Sequence, residues 1–187
     1  MKKLLLLLLI TINCFSQRIA INKIDEFTNE KIIKIDTSEG NSWSGSDNIV
    51  TGFLNNVFLC NSAFLGKDNT IISTFTIYFG SMTCSNPDNK LILLLEDNSK
   101  IILTQISKTD CNYEKLIIQY STGPSFSEQL NNINILSKFS VNKIRFYSND
   151  NYYDFTVKDK KKELIKKSFQ LLLNEIKEAN ITSNTQN

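Results

Sequence analysis

Two apolar runs joined by a short polar turn constrain the fold more than any other feature of this chain. Residues 91–96 (LILLLE) lead into Asp97-Asn98-Ser99, and residues 100–106 (KIILTQI) follow directly. Runs of this composition are typical of β-strands, and two strands joined by so short a turn lie antiparallel. The sequence therefore predicts a β-hairpin and, around it, an antiparallel sheet.

Further strands are predicted wherever β-branched and aromatic residues are concentrated. These segments are residues 30–36, 53–64, 71–79 and 115–120, together with a second hairpin at residues 143–157. In the return strand of that hairpin, the alternation of side-chain direction predicts that Tyr153, Phe155 and Val157 face the core. The same alternation turns Tyr152, Asp154 and Thr156 toward solvent.

Two helices are indicated by different signals. A short helix is predicted to begin near Ser125, because Glu128 stands three residues later and completes a capping box. Residues 160–177 carry an apolar stripe at helical spacing, with Lys and Glu on the opposite side. We predict an α+β fold that is mostly β: an antiparallel sheet or β-sandwich with one C-terminal amphipathic helix packed against it.

The N-terminus predicts an export signal. Lys2 and Lys3 precede an apolar run at residues 4–12, and the small residues Cys14 and Ser16 follow. A charged start, a short apolar core and a small-residue cleavage site are typical of a secretory leader. A transmembrane helix needs about 20 apolar residues, so no membrane-spanning segment is expected in the mature chain.

This leader sets the expected domain organisation and localisation. We expect a cleaved signal peptide at residues 1–16, a single β-rich domain at residues 17–180 and a polar tail at residues 181–187. The mature chain is then periplasmic or secreted. The alternative is a lipoprotein anchored through Cys14.

Charge and composition exclude several classes of function. The leader holds two of the 21 Lys and Arg residues and none of the 19 Asp and Glu residues, so the mature chain is formally neutral. A nucleic-acid partner is not expected, because such proteins carry a basic surplus. The chain has no histidine, which removes the usual general base and the commonest transition-metal ligand. No metal, no cofactor and no catalytic residue is predicted.

Three cysteines remain after cleavage. Cys84 precedes the first strand of the central hairpin and Cys111 follows its second strand. The open ends of an antiparallel hairpin are neighbours, so a Cys84–Cys111 disulfide is predicted in an oxidising compartment. Cys60 lies within a predicted strand, and we expect a buried free thiol there, with a pKa raised by its apolar neighbours.

A loop holds the one candidate ligand surface. Trp43 and Asp47 lie in a stretch rich in Ser, Asn and Gly at residues 37–48. Tryptophan in such a loop stacks on sugars or peptides, although a lone tryptophan is also a common core residue. Without histidine, a pair of carboxylates could still perform acid–base catalysis, and Glu96 and Asp97 are adjacent. However, neighbouring residues in a strand point to opposite faces, and Asp97 opens a turn.

Motifs in the second half resemble a known group of proteins. They are the LLLEDNSKI hairpin, the cysteine loop, the KIRFY strand at residues 143–147 and the lysine-rich final helix. Together with the Phe-Ser-Gln end of the leader, they resemble exported proteins of Bacteroidota-type bacteria that have no assigned activity. The likeness covers residues 90–178 and implies an exported protein, with no catalytic residue to carry over.

These observations favour an exported non-enzymatic protein that binds or scaffolds a protein or glycan partner in the periplasm or at the cell surface. Two alternatives stay open. One is a small hydrolase or lyase that uses carboxylates, and the other is a carbohydrate-binding module that uses Trp43.

Overall fold

Strands dominate the part of the chain that the structure describes. The computed structural model describes residues 18–37, 49–50, 56–66, 68–78, 83–112, 115–149 and 151–184. Its strands are β1 (Arg18–Ile24), β2 (Lys31–Asp36), β3 (Asn56–Leu65), β4 (Thr70–Tyr78), β5 (Thr83–Ser85), β6 (Lys90–Leu95), β7 (Lys100–Gln105), β8 (Thr109–Asn112), β9 (Lys115–Ser121), β10 (Val141–Tyr147) and β11 (Tyr152–Thr156). Its helices are α1 (Phe126–Leu136) and α2 (Asp159–Asn184).

Nine of these strands form one antiparallel sheet. Their spatial order is β1-β2-β3-β4-β9-β7-β6-β10-β11, and β5 pairs separately with β8. Along β7, Ile101, Leu103 and Gln105 are buried while the residues between them are exposed. The same period of two buries one side of the other central strands, because successive side chains in a strand point to opposite faces. The buried side forms the core.

Both helices cover the buried side of the sheet. Helix α1 is capped by Ser125. The Ser125 hydroxyl accepts a hydrogen bond from the N–H of Glu128 at 3.3 Å and donates one to the Glu128 carboxylate at 2.9 Å. Helix α2 packs on β2, β3, β10 and α1. Its predicted stripe is buried: Leu164, Ile165, Phe169, Leu172 and Ile176. Each such side chain contributes about 1.5–3 kcal/mol when removed from water.

A two-residue segment shows that the sheet curls. The N–H of Ile49 donates to the carbonyl of Val57 at 2.9 Å, and the carbonyl of Ile49 accepts from Lys158 at 2.9 Å. Val50 forms a bridge with Val157. These contacts join the start of β3 to the end of β11, which a flat sheet would hold six strand spacings, or about 29 Å, apart. The sheet therefore wraps around its buried side, and the opposite side faces solvent.

The predicted fold class is confirmed, and both predicted hairpins are present. Helix α1 confirms the short helix predicted near Ser125. Three details differ from the predictions. The strand β1 was not expected, and neither was the β5–β8 ribbon. Helix α2 continues to Asn184, into the stretch predicted as a polar tail, because residues 178–184 contain no Gly or Pro to end it.

Candidate functional site

The ligand surface predicted from sequence lies outside the described residues. Trp43 and Asp47 fall in the gap between residues 37 and 49, and the leader with Cys14 falls before residue 18. Their roles stay predictions. Within the described ranges, no group of three or more His, Cys, Asp or Glu side chains is placed to hold a metal ion. No helix there is both long and apolar enough to cross a bilayer.

The predicted disulfide is confirmed. Cys84 in β5 and Cys111 in β8 are bonded, with Cα atoms 4.3 Å apart. The bond closes a loop that contains the whole β6–β7 hairpin, as the neighbouring open ends of that hairpin led us to expect. Cys111 is exposed and Cys84 is half-buried, so the bond is within reach of solvent.

Cys60 is a free thiol, but it is only half-buried. It lies on the solvent-facing side of β3 rather than in the core, since its neighbours Leu59 and Asn61 are the buried residues of that strand. Partial burial raises the pKa of the thiol from 9.0 to about 11, and Asp36 adds to the rise while Lys34 opposes it. A thiol with a raised pKa is a poor nucleophile at neutral pH.

One continuous surface on the solvent side combines aromatic, apolar and basic side chains. It is formed by the outward residues of the β6–β7 and β10–β11 hairpins, which lie side by side because β6 pairs with β10. We call it the two-hairpin face. Its residues are Lys90, Ile92, Leu94, Lys100, Ile102, Thr104, Lys143, Arg145, Tyr147, Tyr152, Asp154 and Thr156.

The register of the four strands places the side chains of this face in rows that run across the strands. Ile92 stands between Ile102 and Arg145 on its two neighbouring strands. Arg145 in turn stands opposite Asp154. The next row toward the β10–β11 turn pairs Tyr147 with Tyr152. Side chains in such rows lie about 5 Å apart at Cβ, so neighbouring groups touch.

Arg145 is fixed in place by its neighbours. Its Nε and one terminal nitrogen donate to the two carboxylate oxygens of Asp154 at 2.6 and 2.7 Å. The guanidinium also lies over the ring of Tyr152, 4.3 Å from the ring centre. Tyr147 and Tyr152 have ring centres 6.0 Å apart. A bidentate pair and a stacked ring together hold the guanidinium plane in one orientation.

The pKa shifts in this cluster follow from the same contacts. The hydrogen bonds from Arg145 hold the pKa of the Asp154 carboxyl below its usual range, and Lys143 lowers it further. The pKa of Arg145 is raised, first by its hydrogen bonds to Asp154 and then by that to the Tyr147 hydroxyl. Both groups are therefore ionised at neutral pH.

Basic residues outnumber acidic ones on the two-hairpin face. Lys90, Lys100 and Lys143 are exposed, and in the described part of the chain none of them forms an ion pair. With Arg145 they give four basic residues against Asp154. Two further acids, at positions 96 and 97, stand beyond the strands in the β6–β7 turn. The face therefore has a positive surplus around an apolar centre.

Carboxyl groups give no support to acid–base catalysis in the described ranges. The carboxyls with a shifted pKa there are all lowered rather than raised: Asp25, Asp97, Asp154 and Asp159. Each is held by hydrogen bonds from a turn or from a basic neighbour. A general acid at neutral pH needs the opposite shift.

Comparisons with protein-family models, with curated proteins and with solved structures find no match to this chain. Its function is therefore inferred from the chemistry of its own residues.

Proposed function

We propose that this chain is an exported binding protein, and that the two-hairpin face contacts a protein partner rich in acidic side chains. The observation that carries the proposal is the fixed guanidinium of Arg145, stacked on Tyr152 at 4.3 Å and paired with Asp154. A preorganised cation on an exposed surface loses little conformational entropy when a partner binds it.

The composition of the face supports binding to a protein. Tyr and Arg are enriched among the residues that contribute most to protein interfaces. Here Arg145, Tyr147 and Tyr152 adjoin the apolar pair Ile92 and Ile102. Apolar side chains at the centre with charged ones around them reproduce the anatomy of such interfaces.

The charge of the face favours an acidic partner over a second copy of the chain. Two copies packed face to face would bring eight basic residues against two acidic ones at this surface. Like charges placed opposite each other across an interface weaken association. An acidic partner is instead attracted to Lys90, Lys100 and Lys143, more strongly at low ionic strength.

Export is part of the proposal and has two supports. The first sixteen residues predict a leader, and the Cys84–Cys111 disulfide is of the kind that persists in oxidising compartments.

Site-specific photo-crosslinking in the natively exported chain tests the proposal. Benzoylphenylalanine replaces Ile102, which lies on β7 beside Ile92 in the two-hairpin face, and in a separate variant it replaces Ile117. The two isoleucines are both 50% exposed, but Ile117 lies on β9 outside the face. We expect an ultraviolet-dependent protein adduct from position 102 alone, with acidic residues at the attachment site identified by mass spectrometry. No adduct from position 102, or equal yields from both positions, would contradict the proposal.

A further inference from the structure

We propose that the Cys84–Cys111 disulfide restrains the end of the two-hairpin face that carries Tyr147 and Tyr152, so that this end is fully ordered for binding only in the oxidised chain. The consequence for binding, that oxidation of the two cysteines favours it, rests on the function proposed above. The structural part of the inference concerns the free protein alone, and it comes from how the two hairpins are joined at each end.

The disulfide encloses the first hairpin of the face. Cys84 stands in β5, six residues before Lys90, and Cys111 stands in β8, six residues after Gln105. The ribbon that carries the bond is small, since the pairings of β5 with β8 are Thr83 with Asn112 and Ser85 with Thr109. A short two-stranded ribbon has marginal stability alone, so the covalent bond adds to the restraint from the hydrogen bonds of Ser85 with Thr109 and Gln105.

The same ribbon holds the turn of the second hairpin. The carbonyl of Cys84 accepts the N–H of Asn149 at 3.1 Å. The amide of Asn89 donates to the Asn149 side chain at 3.1 Å and to the Ser85 hydroxyl at 3.2 Å. Asn149 lies in the turn between β10 and β11, which carries Tyr147 at one side and Tyr152 at the other.

The opposite end of the face has a joint that does not involve the disulfide. There the N–H of Glu96 donates to the carbonyl of Ser140 at 2.9 Å and links the β6–β7 turn to the start of β10. The two hairpins are thus joined by the β6–β10 ladder along their length and, beyond the ladder, by loop contacts at each end. The disulfide restrains only the end that carries the two tyrosines.

Breaking the bond is a simple two-electron step. A small dithiol such as dithiothreitol transfers two electrons and two protons to the Cys84 and Cys111 sulfurs, which become thiols, while the dithiol closes into its own disulfide. Cys111 is an exposed residue, so we expect the reagent to reach the bond. With the bond open, we expect the β5–β8 ribbon to release Asn149, so that the turn beside Tyr147 and Tyr152 becomes more mobile while the β10–β11 ladder stays paired.

Amide hydrogen exchange in the free protein tests this coupling, with Glu96 as the internal control. On reduction of the folded chain, the exchange rate of the Asn149 amide is expected to rise by about tenfold or more, while that of Glu96 stays within about twofold. Reoxidation restores the first value. The ring signals of Tyr147 and Tyr152 shift in parallel. The double variant C84S/C111S, studied below its unfolding temperature, gives the same pattern without a reductant.

An unchanged Asn149 rate would overturn the inference, and so would an equal rise at Asn149 and Glu96, which indicates general loosening. Neither result depends on a partner. A missing crosslink at position 102 would instead defeat the proposed function and leave the structural coupling intact.

Discussion

Arg145 and Asp154 face each other across β10 and β11 and are joined by two parallel hydrogen bonds, of 2.6 and 2.7 Å. The pair is solvent-accessible, with 39% and 51% of the two side chains exposed. Exposed ion pairs contribute little to folding. Under the proposed function, changes at Arg145 should therefore affect binding more than unfolding.

Arg145→Lys should weaken binding without weakening the fold. Lysine keeps the charge, but it cannot form the bidentate pair with Asp154 or stack flat on Tyr152. With poly-L-glutamate as the probe, we expect the Kd to rise severalfold while the thermal midpoint stays unchanged within error. Fluorescence anisotropy and thermal unfolding give the two readouts. Equal Kd values for the two proteins would argue against a role of Arg145 in recognition.

Removing the disulfide should lower stability by a predictable amount. The two cysteines are 27 residues apart in sequence. A bond that closes a loop of this length stabilises the folded state by about 3–4 kcal/mol, because it lowers the conformational entropy of the unfolded chain. Urea unfolding of C84S/C111S is expected to show that loss. Cys60→Ser, which leaves the disulfide intact, should show a much smaller one. A loss of unfolding free energy in C84S/C111S as small as that in Cys60→Ser would mean that the bond contributes little.

Tyr120→Phe should be neutral or stabilising. Tyr120 is fully buried, and its hydroxyl has no hydrogen-bond partner among the described residues. Removing an unsatisfied buried group recovers a desolvation cost of about 1–3 kcal/mol. Ser73→Ala is the matched control, because the Ser73 hydroxyl donates to the side chain of Asn61 at 2.7 Å. That change should destabilise by about 1 kcal/mol. A Tyr120→Phe variant less stable than wild type would reveal a partner for the hydroxyl.

The Cys60 thiol should make stability depend on alkaline pH. Its pKa is about 11 in the folded chain against 9.0 unfolded, so the unfolded state loses its proton first as pH rises. The thiol therefore contributes about 2–3 kcal/mol to the free energy of unfolding. This contribution is fully present below about pH 9 and is lost between about pH 9 and 11. Urea unfolding of wild type and Cys60→Ser across this range isolates it, since other groups titrate in both proteins. Parallel stability curves would show that Cys60 does not contribute.

Local patterns in the sequence predicted both hairpins. The β6–β7 turn works because Asn98 takes a positive φ of 66° and the Asp97 carboxylate accepts the N–H of Ser99 at 3.0 Å. Asn tolerates this backbone region and Asp caps such turns, so the signal lies in neighbouring residues. The Cys84–Cys111 disulfide could be predicted from the same hairpin, because the open ends of the hairpin are adjacent.

Features that depend on distant contacts were not predictable in this way. The curl of the sheet depends on Ile49 and Val50, which no short-range pattern links to Val57 or Val157. Strand β1 was missed because its side chains alternate weakly, and residues 19–24 are nearly all exposed. Pairing there is decided by the partner strand, β2, rather than by the segment itself.

The candidate site was predictable only in part. Alternation correctly placed Tyr152, Asp154 and Thr156 on the solvent side. The pairing of β6 with β10, which brings Ile92 beside Arg145 and unites two separate hairpins into one face, requires the fold. Trp43 and Asp47, the surface predicted from sequence, lie outside the described residues and stay a prediction.

Charge reversal combined with crosslinking tests the central claim most directly. The variant K100E/K143E reverses two exposed lysines on the two-hairpin face, and K160E/K177E reverses two exposed lysines on α2, with the same change in net charge. Each is combined with benzoylphenylalanine at position 102 in the exported chain, and adduct yield is measured. The proposal predicts that the adduct is lost in K100E/K143E and kept in K160E/K177E. An adduct of equal yield in both would contradict recognition of an acidic partner by this face.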